Sequence, residues 1–94
     1  MTTKQEVMDS VCKHLGIPAF LISTGSTEPK EFLISVAEQL GIQGLTAGMD
    51  KQELGRLIVE AGGNLWLPEF DSTGGTITKD GLEAIRETVF RLVP

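Results

Sequence analysis

Apolar residues recur at helical spacing in four separate stretches of this chain, and each stretch opens on helix-capping residues. That pattern leaves little length for a sheet. The first stretch, Lys4–Leu15, follows Thr3 and contains Glu6. These two form a capping box, in which hydroxyl and carboxylate each satisfy a backbone N–H that a helix start leaves free. Val7, Val11 and Leu15, with Met8 and Cys12, line one face. Gly16 stops the helix and Pro18 forbids its continuation. The second stretch, residues 29–40, has Ser26, Thr27 and Glu28 as caps and favourable charge, with Pro29 in the first turn. Leu33, Val36, Ala37 and Leu40 are its expected buried face, with Phe32 beside them, and Gly41 ends it. The third, Lys51–Ala61, opens on a second capping box, Asp50 with Glu53. Leu54, Leu57, Ile58 and Ala61 are expected to face inward, and Gly62-Gly63 stop the helix. The fourth, Lys79–Leu92, is capped by Thr78 and striped by Leu82, Ile85, Val89 and Leu92 or Val93.

The expected fold is therefore mainly α: a compact four-helix domain spanning residues 1–94. Two connections qualify it. Residues 18–24 (PAFLIST) read as an extended apolar piece, and Thr76-Ile77-Thr78 is β-prone. A minimal two-stranded pair between residues 21–23 and 76–78 is one reading; the other is that Gly74-Gly75 simply loosens the approach to the fourth helix. The segment V-x-x-x-L-G-I occurs twice, at Val11 to Ile17 and at Val36 to Ile42. It reads as one helix stop used twice rather than a repeat, with glycine ending the helix and the isoleucine packing back on its last turn.

Composition excludes several classes. No apolar run approaches the roughly 20 residues of a membrane span, and the polar N-terminus lacks a signal-peptide core. A cytoplasmic location, no membrane partner and a monomeric state are the expectations. The lone Cys12 makes no intrachain disulfide and sits on an apolar helical face, as a small core filler does. One cysteine and one histidine, His14, do not build a structural zinc site, and no metal is expected. The net charge of −5 argues against nucleic-acid binding by bulk attraction, though not by a local patch.

Catalytic readings fail in turn. There is no G-x-S-x-G elbow, and Gly74-Gly75-Thr76 lacks the lysine and spacing of a phosphate-binding P-loop. No G-x-G-x-x-G follows a strand, so no cofactor is expected. Carboxylates are numerous, but pairs on a small acidic surface are usually solvated. A non-enzymatic domain is the expectation.

The residues that point to a function lie in two places. Leu40-Gly41-Ile42 closes one helix, a linker containing Gly44 and Gly48 follows, and Asp50-Lys51-Gln52-Glu53-Leu54 opens the next, with Arg56 behind it. This resembles the helix–extended turn–helix of SAP-type DNA-binding modules and the related N-terminal helical module of the Rho terminator. The matching residues are Gly41, Ile42, Gly48, Lys51, Glu53 and Leu54, within residues 33–62. The resemblance implies that Lys51 and the free N–H groups at that helix start contact a backbone phosphate. The second place is Trp66-Leu67-Pro68, then Ser72-Thr73-Gly74-Gly75-Thr76-Ile77-Thr78 and a helix. This run is similar to small N-terminal accessory domains that precede nuclease modules in some restriction enzymes.

The expected function is DNA recognition, as part or partner of a DNA-processing or phage-defence protein. Lys51, Arg56 and Lys79 would hold phosphates, and Ser72, Gly74, Gly75 and Thr76 would let the backbone approach closely. The rival is a protein-interaction module anchored by Trp66, Leu67 and Phe70; otherwise Trp66 and Phe70 cover the open end of the bundle. Convergence of the three cations would favour DNA; scatter, with Trp66 exposed in an apolar patch, would favour a protein partner.

Overall fold

In a computed structural model, residues 2–22 and 28–94 are described. Among them the order is α1 (Lys4–Leu15), α2 (Lys30–Gln39), α3 (Lys51–Ala61), a 3-10 turn (Pro68–Phe70) and α4 (Lys79–Leu92). Both capping boxes form. Thr3 Oγ1 accepts from Glu6 N at 3.1 Å, and Glu6 Oε1 accepts from Thr3 N at 2.9 Å. Asp50 and Glu53 make the same exchange at 2.7 and 3.2 Å. Thr78 Oγ1 accepts from Gly81 N at the start of α4. α2 starts at Pro29 without a side-chain cap, and the expected caps Ser26 and Thr27 lie outside the described residues.

The shared V-x-x-x-L-G-I is one helix stop used twice. Ile17 N donates to Cys12 O and Gly16 N to Lys13 O; Ile42 N donates to Ala37 O and Gly41 N to Glu38 O. Gly16 and Gly41 sit at φ 70° and 71°, a conformation that strains side chains other than glycine's. Both isoleucines pack on the core.

That core joins Val7, Met8, Val11 and Cys12 of α1 to Phe32, Leu33, Val36 and Ala37 of α2. Leu54, Ile58 and Val59 of α3 and Leu82, Ile85 and Val89 of α4 complete it, with Ile77 between them. One expectation needs correction. On α3 the buried flank is Gly55 and Val59, whereas Leu57 is half-buried and Ala61 is exposed. The cause is tertiary: a Cβ on Gly55 would stand 2.6 Å from Cη2 of Trp66, whose ring lies on that flank. Of the two readings of residues 76–78, the pairing with 21–23 is absent among the described residues, which exclude residue 23. Ile77 instead forms an isolated antiparallel bridge with Asp71, across the Gly74-Gly75 turn.

The two halves of the chain repeat one another in a different register from the helix stops. Thr3-Lys4-Gln5-Glu6-Val7 opens α1, and Asp50-Lys51-Gln52-Glu53-Leu54 opens α3. Val11, Cys12 and Gly16 correspond to Ile58, Val59 and Gly63. The sequence Ser23-Thr24-Gly25-Ser26-Thr27 precedes α2, and Ser72-Thr73-Gly74-Gly75-Thr76 precedes α4. Lys30, Leu33 and Val36 then match Lys79, Leu82 and Ile85. Packing follows the repeat only in part. α1 lies chiefly on α4 of the other half, whereas α3 packs about equally on α2 of the other half and α4 of its own. Glu28 and Ile77 occupy equivalent positions in the repeat and touch each other.

Candidate functional site

Glu28 is fully buried, and it joins the starts of all four helices. Its carboxylate accepts from Lys4 Nζ at 2.9 Å, Thr76 Oγ1 at 2.7 Å and Ile77 N at 2.7 Å. Its backbone carbonyl accepts from Lys51 Nζ at 2.6 Å. Lys4 and Lys51 are the first residues of α1 and α3; Glu28 itself leads into α2, and Ile77 into α4. Burial alone would raise this carboxyl's pKa. The hydrogen bonds from Thr76, Lys4, its own backbone amide and that of Ile77 outweigh burial and hold it below the usual glutamate value. Every helix begins on a lysine (Lys4, Lys30, Lys51, Lys79), the end where the helix dipole disfavours a cation. Acceptors offset that cost for Lys4 and Lys51 at Glu28, and for Lys30 at Ala47 O. The Glu28 junction is saturated with partners inside the fold, which makes it architectural.

The turn expected to meet a ligand is built on α3. Gln52 Nε2 donates to Ser72 O at 3.3 Å and to Thr76 O at 3.1 Å, and Ser72 N closes the turn on Thr76 O at 3.0 Å. Thr73, Gly74 and Gly75 are exposed at its tip. Lys51 reaches the same junction through Glu28, whose carboxylate holds Thr76. Lys79 begins α4 directly after this turn. Arg56 is exposed one helical turn beyond Gln52, on the same side of α3. Lys51 and the turn thus meet at Glu28, Lys79 follows the turn in the chain, and Arg56 lies further along α3. Lys79 is also close enough to α1 to act on Glu6, whose carboxyl is held low chiefly by hydrogen bonds from Thr3 and to a lesser degree by that lysine.

Trp66 is half-buried rather than presented. Its Nε1 donates to Asp71 Oδ1 at 2.8 Å, its ring meets Phe70 edge-on at 5.2 Å, and its tip rests on Gly55. Phe70 is buried. The residues that do stand out are Leu65, 77% exposed, and Leu67, 39% exposed. They border a groove of about 440 Å³ floored by Val59, Phe70 and Ala84. Sequence reasoning named Leu67 but passed over Leu65, and it took Glu28 only as a helix-start charge. The paired K-Q-E and S-T-G-x-T motifs signal the symmetric frame in which Glu28 stands opposite an isoleucine.

Among the described residues no cluster of three or more His, Cys, Asp or Glu side chains is placed to hold a metal ion, and no helix is long and apolar enough to cross a membrane. Cys12 is buried, and burial raises its thiol pKa. Comparison with protein-family models, curated proteins and solved structures finds no match to this chain.

Proposed function

We propose that this domain is a non-enzymatic module that contacts the backbone of DNA through the end formed by the 72–76 turn and the starts of α3 and α4. It would serve as part or partner of a DNA-processing or defence protein. The observation that carries the reading is Gln52 holding both ends of the turn. That clamp fixes the exposed Gly74-Gly75 tip, with Lys79 directly after the turn in the chain, Arg56 one turn along α3 from Gln52, and Lys51 bound to Glu28 at the junction beneath it. Backbone N–H groups and lysine or arginine side chains are the donors that phosphate oxygens take. The net charge of −5 disfavours bulk attraction, so the contact rests on this local group of donors.

An amide-resolved NMR titration with a short duplex, at roughly 50 and 200 mM salt, tests the reading, since phosphate contacts weaken steeply over that range. Saturable shifts at Lys51, Arg56 and residues 72–76 are expected, smaller at the higher salt. Arg56→Ala and Lys79→Ala should each weaken binding equally for unrelated duplex sequences. Absence of shifts at the lower salt overturns the proposal.

A further inference from the structure

Where the C-terminal ends of α1 and α4 meet, the surface carries aromatic rings that the core does not use. Phe90 is 42% exposed, whereas the other three phenylalanines and Trp66 are buried or half-buried. The ring of His14 stacks on Phe90, with centroids 4.3 Å apart and planes 28° from parallel. His14 Nε2 donates to Val93 O, which ties the imidazole to the residue after α4 and fixes its ring. The neighbours of these residues along the chain, Val11, Cys12 and Val89, already fill the core.

Both rings border a groove of about 410 Å³, a size usual for small-ligand sites, and its other lining residues are Ser10 and Lys13. No carboxylate lines it, in a chain where Asp and Glu outnumber Lys and Arg 13 to 8. The nearest carboxylates along α1 are engaged towards the helix start, Glu6 with Thr3 and Asp9 with Gln5. On α4, Glu87 lines the opposite groove and pairs with Arg91. Lys13 is exposed and has no ion-pair partner among the described residues. A lysine and a histidine in the last turn of α1 also suit the helix dipole, but that accounts for their charge and not for the exposed phenyl ring beside them. An aromatic surface next to a cation fits a planar ring that carries a phosphate. Bases of any sequence stack on aromatic side chains, and lysine meets phosphate as a point charge. Inside a duplex the base faces are covered by their neighbours, so only an unpaired nucleotide offers one.

We propose that the His14–Phe90 pair stacks an unpaired base of a nucleic-acid strand, with Lys13 on the adjoining phosphate and the Ser10 hydroxyl facing the same groove. The site goes beyond the duplex contact proposed above. Lys79 and Phe90 lie about 16 Å apart along α4, so the two contacts do not overlap.

The test titrates the full chain, by amide-resolved NMR, with a short oligothymidylate, with thymidine monophosphate and with a blunt-ended duplex. Saturable shifts at Ser10, Lys13, His14 and Phe90 are expected with the oligothymidylate, weaker ones with the mononucleotide and none at these residues with the duplex. Phe90→Leu keeps apolar bulk without the ring and should weaken oligothymidylate binding by about tenfold, whereas Phe90→Tyr keeps a ring and should retain it. Lys13→Gln should weaken binding and lower its salt dependence by about one phosphate contact. Both positions are exposed, so an amide spectrum unchanged away from the site is expected for each variant and verifies its fold. No shifts at these residues with the oligothymidylate, binding indifferent to Phe90→Leu, or equal losses in the leucine and tyrosine variants would overturn the proposal. So would a mononucleotide affinity equal to that of the oligothymidylate, which would make the ligand a free nucleotide. Duplex shifts at residues 72–76 belong to the separate contact, so each reading fails on its own residues.

Discussion

The first half of this protein and the second use the same parts to different ends. Thr3 and Asp50 cap, Lys4 and Lys51 reach Glu28, and Gln5 and Gln52 each pin the connection that follows their helix. Gln5 donates to Phe20 O and accepts from Ile22 N, while Gln52 holds Ser72 and Thr76. The departures are concentrated where the halves meet and where they face outward. At the junction, one half supplies a buried carboxylate and the other a buried isoleucine. At the equivalent positions of α1 and α3, Met8 fills the shared core while Gly55 yields its space to an inserted tryptophan. A repeated frame can thus keep its hydrogen-bonding skeleton and still acquire one polar key and one new surface.

The most damaging way to break this comparison is to make the junction symmetric. Glu28→Ile would leave the ammonium of Lys4, 15% exposed, and the buried N–H of Ile77 without their carboxylate. Removing one partner of a buried ion pair costs about 3–5 kcal/mol, and denaturant unfolding should register a loss of that size. Adding Lys4→Met should restore much of it, because well-packed apolar replacements of such pairs are often neutral.

Titrating the same carboxylate asks the question without mutation. Its folded pKa lies below the unfolded one, so its contribution to stability is complete above about pH 4.3 and drains away as pH falls through the lower folded value. The urea midpoint should drop across that acid range. The Glu28→Ile, Lys4→Met pair should show a smaller drop, and an equal drop in both proteins would remove Glu28 from the account.

Gly55→Ala sharpens the outer contrast. Its new Cβ would meet Trp66 at 2.6 and 2.8 Å and Ile77 at 3.1 Å. Overpacking of this kind costs about 1–3 kcal/mol, partly offset by the better helix propensity of alanine. The tryptophan emission should move to longer wavelength as the ring is pushed toward solvent. An unchanged spectrum would mean that the ring does not depend on that glycine.

The smallest contrast lies between the two glutamines. Gln5→Ala leaves the Ile22 N–H without its acceptor, whereas Gln52→Ala removes only donors to carbonyls that water can satisfy. Losses of about 1–3 and about 1 kcal/mol are expected respectively, and equal values from thermal melts would show the two clamps to be interchangeable. The Gln52 variant should also loosen the 72–76 turn, seen as faster amide exchange at Thr76.

Much of this was legible in the chain. Helix bounds, both capping boxes and the glycine stops rest on hydrogen bonds spanning three to five residues, so they are written locally. The repeat was legible too, in K-Q-E and S-T-G-x-T, but the longer connection before Pro68 breaks its register, and the V-x-x-x-L-G-I echo suggests a different one. What remained hidden was decided at a distance. Glu28 looks like any acid before a helix until Lys4, Thr76 and Ile77, distant in sequence, close around it. The buried flank of α3 was ambiguous because apolar residues lie on both sides of Leu54 and Ile58; the seat of Trp66 chose Gly55 and Val59 over Leu57 and Ala61. Of the candidate site, residue types and the turn were readable, but that Gln52 joins that turn to α3 was not. The sequence by itself determined where helices begin and end, because backbone N–H and C=O groups must find partners nearby. The tertiary structure alone decided which faces are buried and where a carboxylate is kept charged inside, because those depend on groups brought together only by packing.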